Sequence, residues 1–503
     1  MNRRQFFRSS VSAAVATSLW SPYTYGSLLQ SLTQASSSIN AVTGDGADLV
    51  LEKSAVQELG DSLRGQLLVS GSDGYDVARR VLNKSIDKYP ALVVRPSGVA
   101  DIRNAVAFAR ERDLLLAVKC GGHSFSGKST CDGGMQIDLS TFRNVRVDRK
   151  ARKAYVAGGS LLGEIDHECM ANGLVTTAGT VSHTGVGGLT LGGGFGRVGR
   201  RFGLALDNVT GVDIVTADGQ LRHASADENP DLFWGVRGGG GNFGIVTSFE
   251  FALHEMQREV VGGNVVWPLA DAREVLRFYA DYCAAAPDDL YLDFIMVAPP
   301  NGADPVVIIH ACYSGPKDRA DALLAPVTGF GKPLVSQVAA IDYVALQRSG
   351  DDSDPRSGGE YLKSGFNDGI NNNLIDGLVG GFEPHNDRST IAFFQQSGGA
   401  ISRVPSASTA FAHRWASHSV FTVVAWNPTV DRDPHVRYLR NWWSEVEPST
   451  QGFYTNEVSD EAHRTIAENY EGNFERLLEV KNRYDPTNLF RLNANIPPTV
   501  TTG

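Results

Sequence analysis

From residue 90 onward, hydrophobic positions fall into short runs of strand length that alternate with helical stripes. Residues 90–96 make a compact apolar run, and 101–113 carries Ile102, Ala105, Val106 and Ala109 at helical spacing, so one face of that segment is apolar. A second apolar run at 114–119 completes a β-α-β beginning and ends in the loop Cys120-Gly121-Gly122-His123-Ser124-Phe125-Ser126-Gly127. The pattern then predicts short strands at 135–139, 144–147 and 154–157 and a helix over 161–172. Beyond Asn264 the chain changes character. Aromatic-rich strands at 291–297, 306–313 and 420–426 are separated by helices and by a Gly/Asn/Asp-rich segment, 349–381. This stretch, ending near Gly452, reads as a second domain dominated by antiparallel sheet. A last helix at 476–483 leads into Tyr484-Asp485-Pro486-Thr487-Asn488-Leu489-Phe490, and no internal repeat or heptad pattern is present.

Length and charge narrow the class. A chain of 503 residues with 42% apolar composition, and no 18-residue apolar run past its N-terminus, is expected to be soluble, to form two domains and to have no stable membrane anchor. The formal charge of -10 is spread without a Lys/Arg block, which argues against a nucleic-acid or anionic-membrane surface and against a strongly acidic substrate. The start, Asn2-Arg3-Arg4-Gln5-Phe6-Phe7-Arg8 followed by a weakly apolar stretch to Trp20, resembles a twin-arginine export signal; the expected location is periplasmic or secreted. Removing residues 1–40, which hold three arginines and no acid, would take the charge from -10 to -13. Cys120, Cys131, Cys169, Cys283 and Cys312 lack the spacing of a zinc site, and Cys120 with Cys131 is the one pair considered for a disulfide, against buried free thiols.

Glycine accounts for 54 residues and concentrates at 185–199 and 238–244. Gly239-x-Gly241-x-x-Gly244 and Gly194-x-Gly196-x-x-Gly199 both match the dinucleotide fingerprint literally, but that motif works only as a turn from a strand into a helix N-terminus. After Gly244 comes an alternating strand pattern, and Gly203-Leu204-Ala205-Leu206-Asp207 gives no convincing helix after the first block. A Rossmann fold is therefore not expected. Successive backbone N–H groups in such loops can still form an anion-binding concavity; the bland alternative is tight turns or bulges without a ligand.

At this point four motifs in order resemble a known family: Lys119-Cys-Gly-Gly-His-Ser124; Gly179-Thr-Val-Ser-His-Thr-Gly-Val-Gly-Gly188 with Gly192-Gly-Gly-Phe-Gly196; Trp234-Gly-Val-Arg-Gly-Gly-Gly-Gly-Asn-Phe-Gly-Ile-Val246; and Asp485-Pro-Thr-Asn-Leu-Phe490. They look like the berberine bridge enzyme-like FAD-linked oxidases of the vanillyl-alcohol oxidase superfamily, over about 90–251 plus the C-terminal tail. The resemblance implies an α+β fold in which an FAD-binding domain of the vanillyl-alcohol oxidase type holds an inserted substrate domain of antiparallel sheet and helices. The corresponding boundaries are 1–40 for signal and linker, 41–255 and 453–503 for the FAD-binding domain, and 256–452 for the substrate domain.

The resemblance also implies FAD bonded through its 8α-methyl to His123. A neutral imidazole is a nucleophile near pH 7, and such attachment raises the flavin potential. Outside such a motif, a lone loop histidine is usually structural. Many members add a bond from a cysteine to flavin C6; here Val181 stands at that position, so His123 is the only expected link. Leu189 replaces a histidine many members carry, and Thr184 stands where a small aliphatic residue is common beside the flavin's reactive edge; the electron acceptor is therefore left as O₂ or another molecule. By the same resemblance Gly121, Gly122, Ser124 and Gly127 hold the pyrophosphate or ribityl region, Gly179, Gly185, Gly188 and Gly193 supply backbone contacts, Ile245 and Val246 flank the adenine side, and Asn493 and Asn495 reach the isoalloxazine.

Flavin oxidation removes a hydride while a base takes a proton from O–H or N–H. Tyr454, in a segment that resembles the family's Tyr-x-Asn motif, is the candidate base, against the alternative of a packed tyrosine at a domain boundary; the role needs a cation or donors to stabilise phenolate. Gln395, with Gln396 beside it, is the candidate for the substrate face. The expected activity is oxidation of a small-molecule alcohol or sugar hemiacetal; the alternatives are oxidation at a C–N bond of an amine or alkaloid and a catalytically idle flavoprotein that binds a ligand.

Overall fold

The computed structural model describes residues 38–351, 358–457 and 465–499, so the twin-arginine segment lies outside the described residues. The early apolar runs form a four-stranded sheet ordered Gln66–Leu68, Leu92–Arg95, Met135–Asp138, Leu116–Lys119. Leu92–Arg95 and Leu116–Lys119 both run parallel to Met135–Asp138 between them. Parallel strands need a crossover, and helix Val99–Glu111 supplies it, burying the expected stripe of Ile102, Ala105, Val106 and Ala109. The loop that carries His123 leaves the C-terminal end of Leu116–Lys119, the edge where open α/β sheets place their ligands.

A five-stranded antiparallel sheet follows, ordered Leu221–Ser225, Val209–Thr216, Gly244–Ala252, Lys153–Ala157, Val145–Asp148. The second glycine block thus turns into a strand, as its alternating sequence indicated. The first block departs from expectation. Helix Val186–Gly192 lies inside it, and a four-residue helix, Gly199–Phe202, opens directly at its last glycine. Neither follows a parallel strand, since the preceding Leu174–Val175 pairs antiparallel with His254–Glu255, so the Rossmann geometry is absent here too.

Residues 259–426 form a seven-stranded antiparallel sheet ordered Val335–Asp342, Glu259–Pro268, Val306–Tyr313, Leu290–Ala298, Arg388–Gln396, His418–Trp426, Gly359–Asn367. One face packs on helices Ala272–Ala285, Asn372–Gly380 and Asp433–Val446 through Leu292, Phe294, Leu276, Leu378 and Leu439. The segment 349–381, read as a Gly/Asn/Asp-rich separator, in fact holds the last strand and a helix. Its polar residues are caps: Asn371 accepts a hydrogen bond from the Leu374 N–H, while Leu374, Ile375 and Leu378 are buried.

The C-terminal helix Phe474–Tyr484 returns to the first part of the chain and buries Leu477 and Val480 there. The Asn242 side chain ties the tail down, donating to the Ala494 carbonyl and accepting from the Ile496 N–H. Among the described residues no helix is long and apolar enough to cross a membrane. All five cysteines are free thiols; Cys131 donates to the Leu115 and Met135 carbonyls and Cys120 to that of Ser160, so the Cys120–Cys131 disulfide is not formed.

Candidate active site

The three sheets leave a cleft with an open mouth. Its walls come from the His123 loop, the second loop Gly179–Leu191, the start of strand Gly244–Ala252, the tail around Asn493, the end of strand Arg388–Gln396 at Gln395, and the Tyr454 segment. Of the residues named from sequence, Gly121, Gly122, His123, Ser124, Gly179, Gly185, Gly188, Ile245, Val246, Gln395, Tyr454 and Asn493 all line it. Gly127, Gly193 and Asn495 do not.

The two glycine loops touch back to back. A Cβ on Gly121 would lie 2.4 Å from the Gly185 nitrogen, and one on Gly185 2.5 Å from the Cys120 sulfur, so both bare positions are required by packing. Gly122 has φ of 71°, a left-handed turn that aims His123 and favours glycine. Gly193 packs against Tyr454: a Cβ there would sit 3.0 Å from the Tyr454 ring, and one on Gly192 2.3 Å from the Asn456 amide oxygen. The glycine triplet 192–194 admits the Tyr-x-Asn segment.

His123 Nε2 and His183 Nδ1 share a hydrogen bond of 2.8 Å, and the Thr184 hydroxyl lies 3.4 Å from His123 Nδ1. The Tyr454 hydroxyl oxygen accepts from the Gly194 N–H at 2.8 Å and from Asn456 Nδ2 at 3.0 Å, and its ring packs edge-on against Phe195. Burial pushes the phenol well above its ordinary value, and the charge of Glu457 adds to this; the two N–H donors pull the other way without overcoming it. These donors meet the need identified for phenolate, and among the described residues no cation joins them in that role.

Strand alternation separates the two glutamines. Gln395 faces the cleft with its Oε1 buried and without a hydrogen-bond partner. Gln396 points to the opposite face, where its Oε1 accepts from the Leu292 N–H and its amide donates to the Cys283 carbonyl, so it is removed from the substrate side.

A buried network clamps the second loop to the inserted sheet. Gln347 donates to the Gly179 carbonyl at 2.8 Å and to Asp166 at 3.2 Å, and accepts from Arg197 at 2.7 Å. Arg197 also donates to the Thr180 carbonyl and to His310 Nε2. Burial keeps His310 neutral by pushing its pKa well down, as an acceptor of that bond must be, and pushes the carboxyls of Asp166 and Asp293 up to about 7.

Sequence reasoning passed over His183, Arg197 and Lys128. His183 sits inside a quoted motif, but its meaning depends on a partner 60 residues away. Lys128 is the only Lys or Arg among the described residues of the lining, with its pKa lowered by burial.

The cleft is floored by two abutting glycine loops, with an imidazole at one wall and a tyrosine at another, and the chain that builds it is an FAD-linked oxidoreductase. A model described as "FAD binding domain" matches residues 90–225, and one described as "Berberine and berberine like" matches 454–497. The chain belongs to the berberine bridge enzyme-like FAD-linked oxidoreductases, and its α+β fold is that of the vanillyl-alcohol oxidase superfamily. An FAD-linked oxidoreductase of Dictyostelium discoideum is 31% identical, over 88% of this chain and 97% of that protein. The solved 6-hydroxy-D-nicotine oxidase of Arthrobacter nicotinovorans is 27% identical with a TM-score of 0.79, covering 86% of this chain and 98% of that one. The glucooligosaccharide oxidase of Acremonium strictum, described with a 6-S-cysteinyl, 8α-N1-histidyl FAD, has the same fold at 23% identity and a TM-score of 0.79, covering 89% and 100%.

FAD fits the residues present. Gly188 is exposed on the cleft wall with nothing within 4 Å of where a Cβ would be, a bare surface that a planar ring can approach. The peptide groups of the glycine loops and Lys128 would hold the negatively charged pyrophosphate. Because Gly188 lies in a helix and faces open space, Gly188→Leu is expected to leave the apoprotein's thermal unfolding within about 1 kcal/mol of wild type. It should also lower the flavin content of the purified protein by more than about tenfold, since the side chain occupies the cofactor's space. Wild-type flavin content in the variant would remove Gly188 from the cofactor wall.

Proposed function

We propose that this oxidoreductase takes a hydride from an alcohol or sugar hemiacetal carbon, using FAD tethered by one covalent bond to His123, with O₂ or another molecule as final electron acceptor. The carrying observation is that His123, Val181, Gln395 and Tyr454 face one cleft. Bound FAD supplies the two-electron acceptor. Val181 lines the cleft at the position where a second tether would need a thiol. Cys120 is the one cysteine in the lining, and burial pushes its thiol up to about 11, so it stays protonated, donating to Ser160. The resting groups therefore support a single tether.

Gln395 offers its unsatisfied oxygen to a substrate donor, and an alcohol hydroxyl supplies one at no charge cost. Ionised Tyr454 then receives the hydroxyl proton at its phenolate oxygen, held in place by Gly194 and Asn456. The alternative, oxidation at a C–N bond, is favoured by one observation: Glu457 is the only carboxylate among the described residues of the lining, and it suits an ammonium.

Acid precipitation tests the tether. Wild-type protein should keep its yellow colour in the pellet, His123→Ala should release all of it while still binding FAD, and a 6-S-cysteinyl spectrum would contradict the single link. Stopped-flow bleaching of the flavin with sugars, alcohols and amines tests the substrate class; reduction by amines alone would replace the alcohol reading, and failure of every class would favour an idle flavoprotein.

A further inference from the structure

We infer that His183 is the positioning residue that makes His123 reactive toward the cofactor: it fixes which ring nitrogen faces the cleft and receives the imidazole proton as the tether forms. The inference rests on the covalent reading of His123 above. Three observations carry it.

First, the two edges of the His123 ring face different surroundings. Nδ1 lies 3.4 Å from the hydroxyl of Thr184, which lines the cleft, whereas Nε2 lies 2.8 Å from His183 Nδ1, and His183 is outside the lining. The nitrogen presented to the cofactor is therefore Nδ1. Its lone pair is available only in the tautomer that carries the proton on Nε2, and the contact with His183 selects that tautomer in the state where His183 Nδ1 is unprotonated.

Second, His183 is held on both sides. The Ser182 N–H donates to Asp351 at 2.9 Å, and the Ser182 hydroxyl donates to the same carboxylate. The Thr184 carbonyl accepts from the Leu162 N–H at 3.0 Å, and the Ser182 carbonyl from the Gly163 N–H at 2.8 Å. Such a segment keeps the imidazole in one place.

Third, the ring centroids lie 4.8 Å apart with planes inclined by 30°, so the contact is close to edge-to-edge, as proton transfer between ring nitrogens requires.

The step balances as follows. The Nδ1–C8α bond forms as the 8α-methyl group loses one proton to solvent and the imidazole loses its Nε2 proton to His183 Nδ1. The cofactor is left reduced by two electrons, and dioxygen removes them together with two protons as hydrogen peroxide. A base that first orients an imidazole and then stabilises its developing positive charge follows the logic of histidine and its orienting partner in hydrolases.

The test compares covalently bound flavin, measured as fluorescence in denaturing gels and by intact mass, in full-length wild type, His183→Ala and His183→Asn. Apoprotein made in riboflavin-starved cells is incubated with FAD and dioxygen at pH 7 and pH 9. Wild type should attach FAD at both. His183→Ala should attach it at least tenfold more slowly at pH 7 while binding FAD non-covalently. It should recover at pH 9, where hydroxide takes the proton, and His183→Asn, whose amide oxygen accepts the Nε2–H, should restore part of the rate. Attachment by His183→Ala at the wild-type rate overturns the inference. So does a defect that neither asparagine nor higher pH relieves, because that marks packing alone. Wild-type protein that releases all its flavin on denaturation is a different outcome: it sinks the covalent reading of His123, and the role of His183 with it.

Discussion

Tyr454→Phe should lower the rate constant for flavin reduction by substrate by about 10²- to 10³-fold, the range in which a positioned proton acceptor contributes. The phenol oxygen already accepts two N–H donors, so its own hydrogen is directed away from Gly194 and Asn456. Because burial raises its pKa, the tyrosine is protonated throughout the neutral range, and only the ionised fraction can accept the substrate's proton. The sign follows: in wild type the reduction rate should climb about tenfold per pH unit from about pH 7 to pH 10 with no plateau, since a pKa above the ordinary value of about 10 lies beyond that window. The phenylalanine variant should lose this slope along with the rate. Removing the hydroxyl leaves two buried N–H groups unpaired, at about 1–3 kcal/mol, so the rate is read per bound flavin and thermal unfolding is followed in parallel. A variant that reduces at the wild-type rate would remove Tyr454 as the base; a flat pH profile in wild type would assign proton acceptance to another group.

The second large effect is on stability. Lys481 and Asp485 form an ion pair of 2.6 Å with both side chains fully buried. Asp485 also accepts the Leu489 and Phe490 N–H groups, at 2.8 and 2.9 Å, while Lys481 donates to the Asn242 carbonyl at 2.9 Å. The pair joins the C-terminal helix, the second glycine block and the turn that delivers Asn493 to the cleft. Asp485→Ala strands the ammonium in a site where desolvation already depresses its pKa and only Asp485 opposes that. The expected loss is about 3–5 kcal/mol, as for a buried pair broken at one partner. FAD retention should fall with it, because the tail no longer closes the cleft. Denaturant unfolding of apoprotein and flavin content after gel filtration measure the two effects. A change below about 1 kcal/mol would show that the turn is held by Leu489 and Phe490 packing instead.

Much of the site was legible because its chemistry is written in contiguous residues. The His123 loop, the valine at 181 and the Tyr454-x-Asn456 segment each announce themselves locally. Gln395 and Gln396 are indistinguishable in sequence, and only the pleat of strand Arg388–Gln396 sends one into the cleft and the other to the helices. Among the glycines, Gly188 faces the cleft and Gly193 makes room for Tyr454, although both stand in one uniform block. The segment 349–381 was misread because Asn and Gly mark caps and turns as readily as loops, and its strand is recognisable only beside its partner His418–Trp426.

The chain's periodicity by itself determined the strands and helices of the first sheet, because strand pleat and helical stripe are local properties of the backbone, and its ordered motifs, through their resemblance to a family, pointed to the α+β class and the FAD cofactor. Tertiary structure alone decided which groups meet. His123 and His183 approach to 2.8 Å, and Arg197 reaches His310 and Thr180, only after sheets formed by distant segments have packed. A hydrogen bond between side chains 60 residues apart depends on where both backbones have been carried, and no local pattern records that.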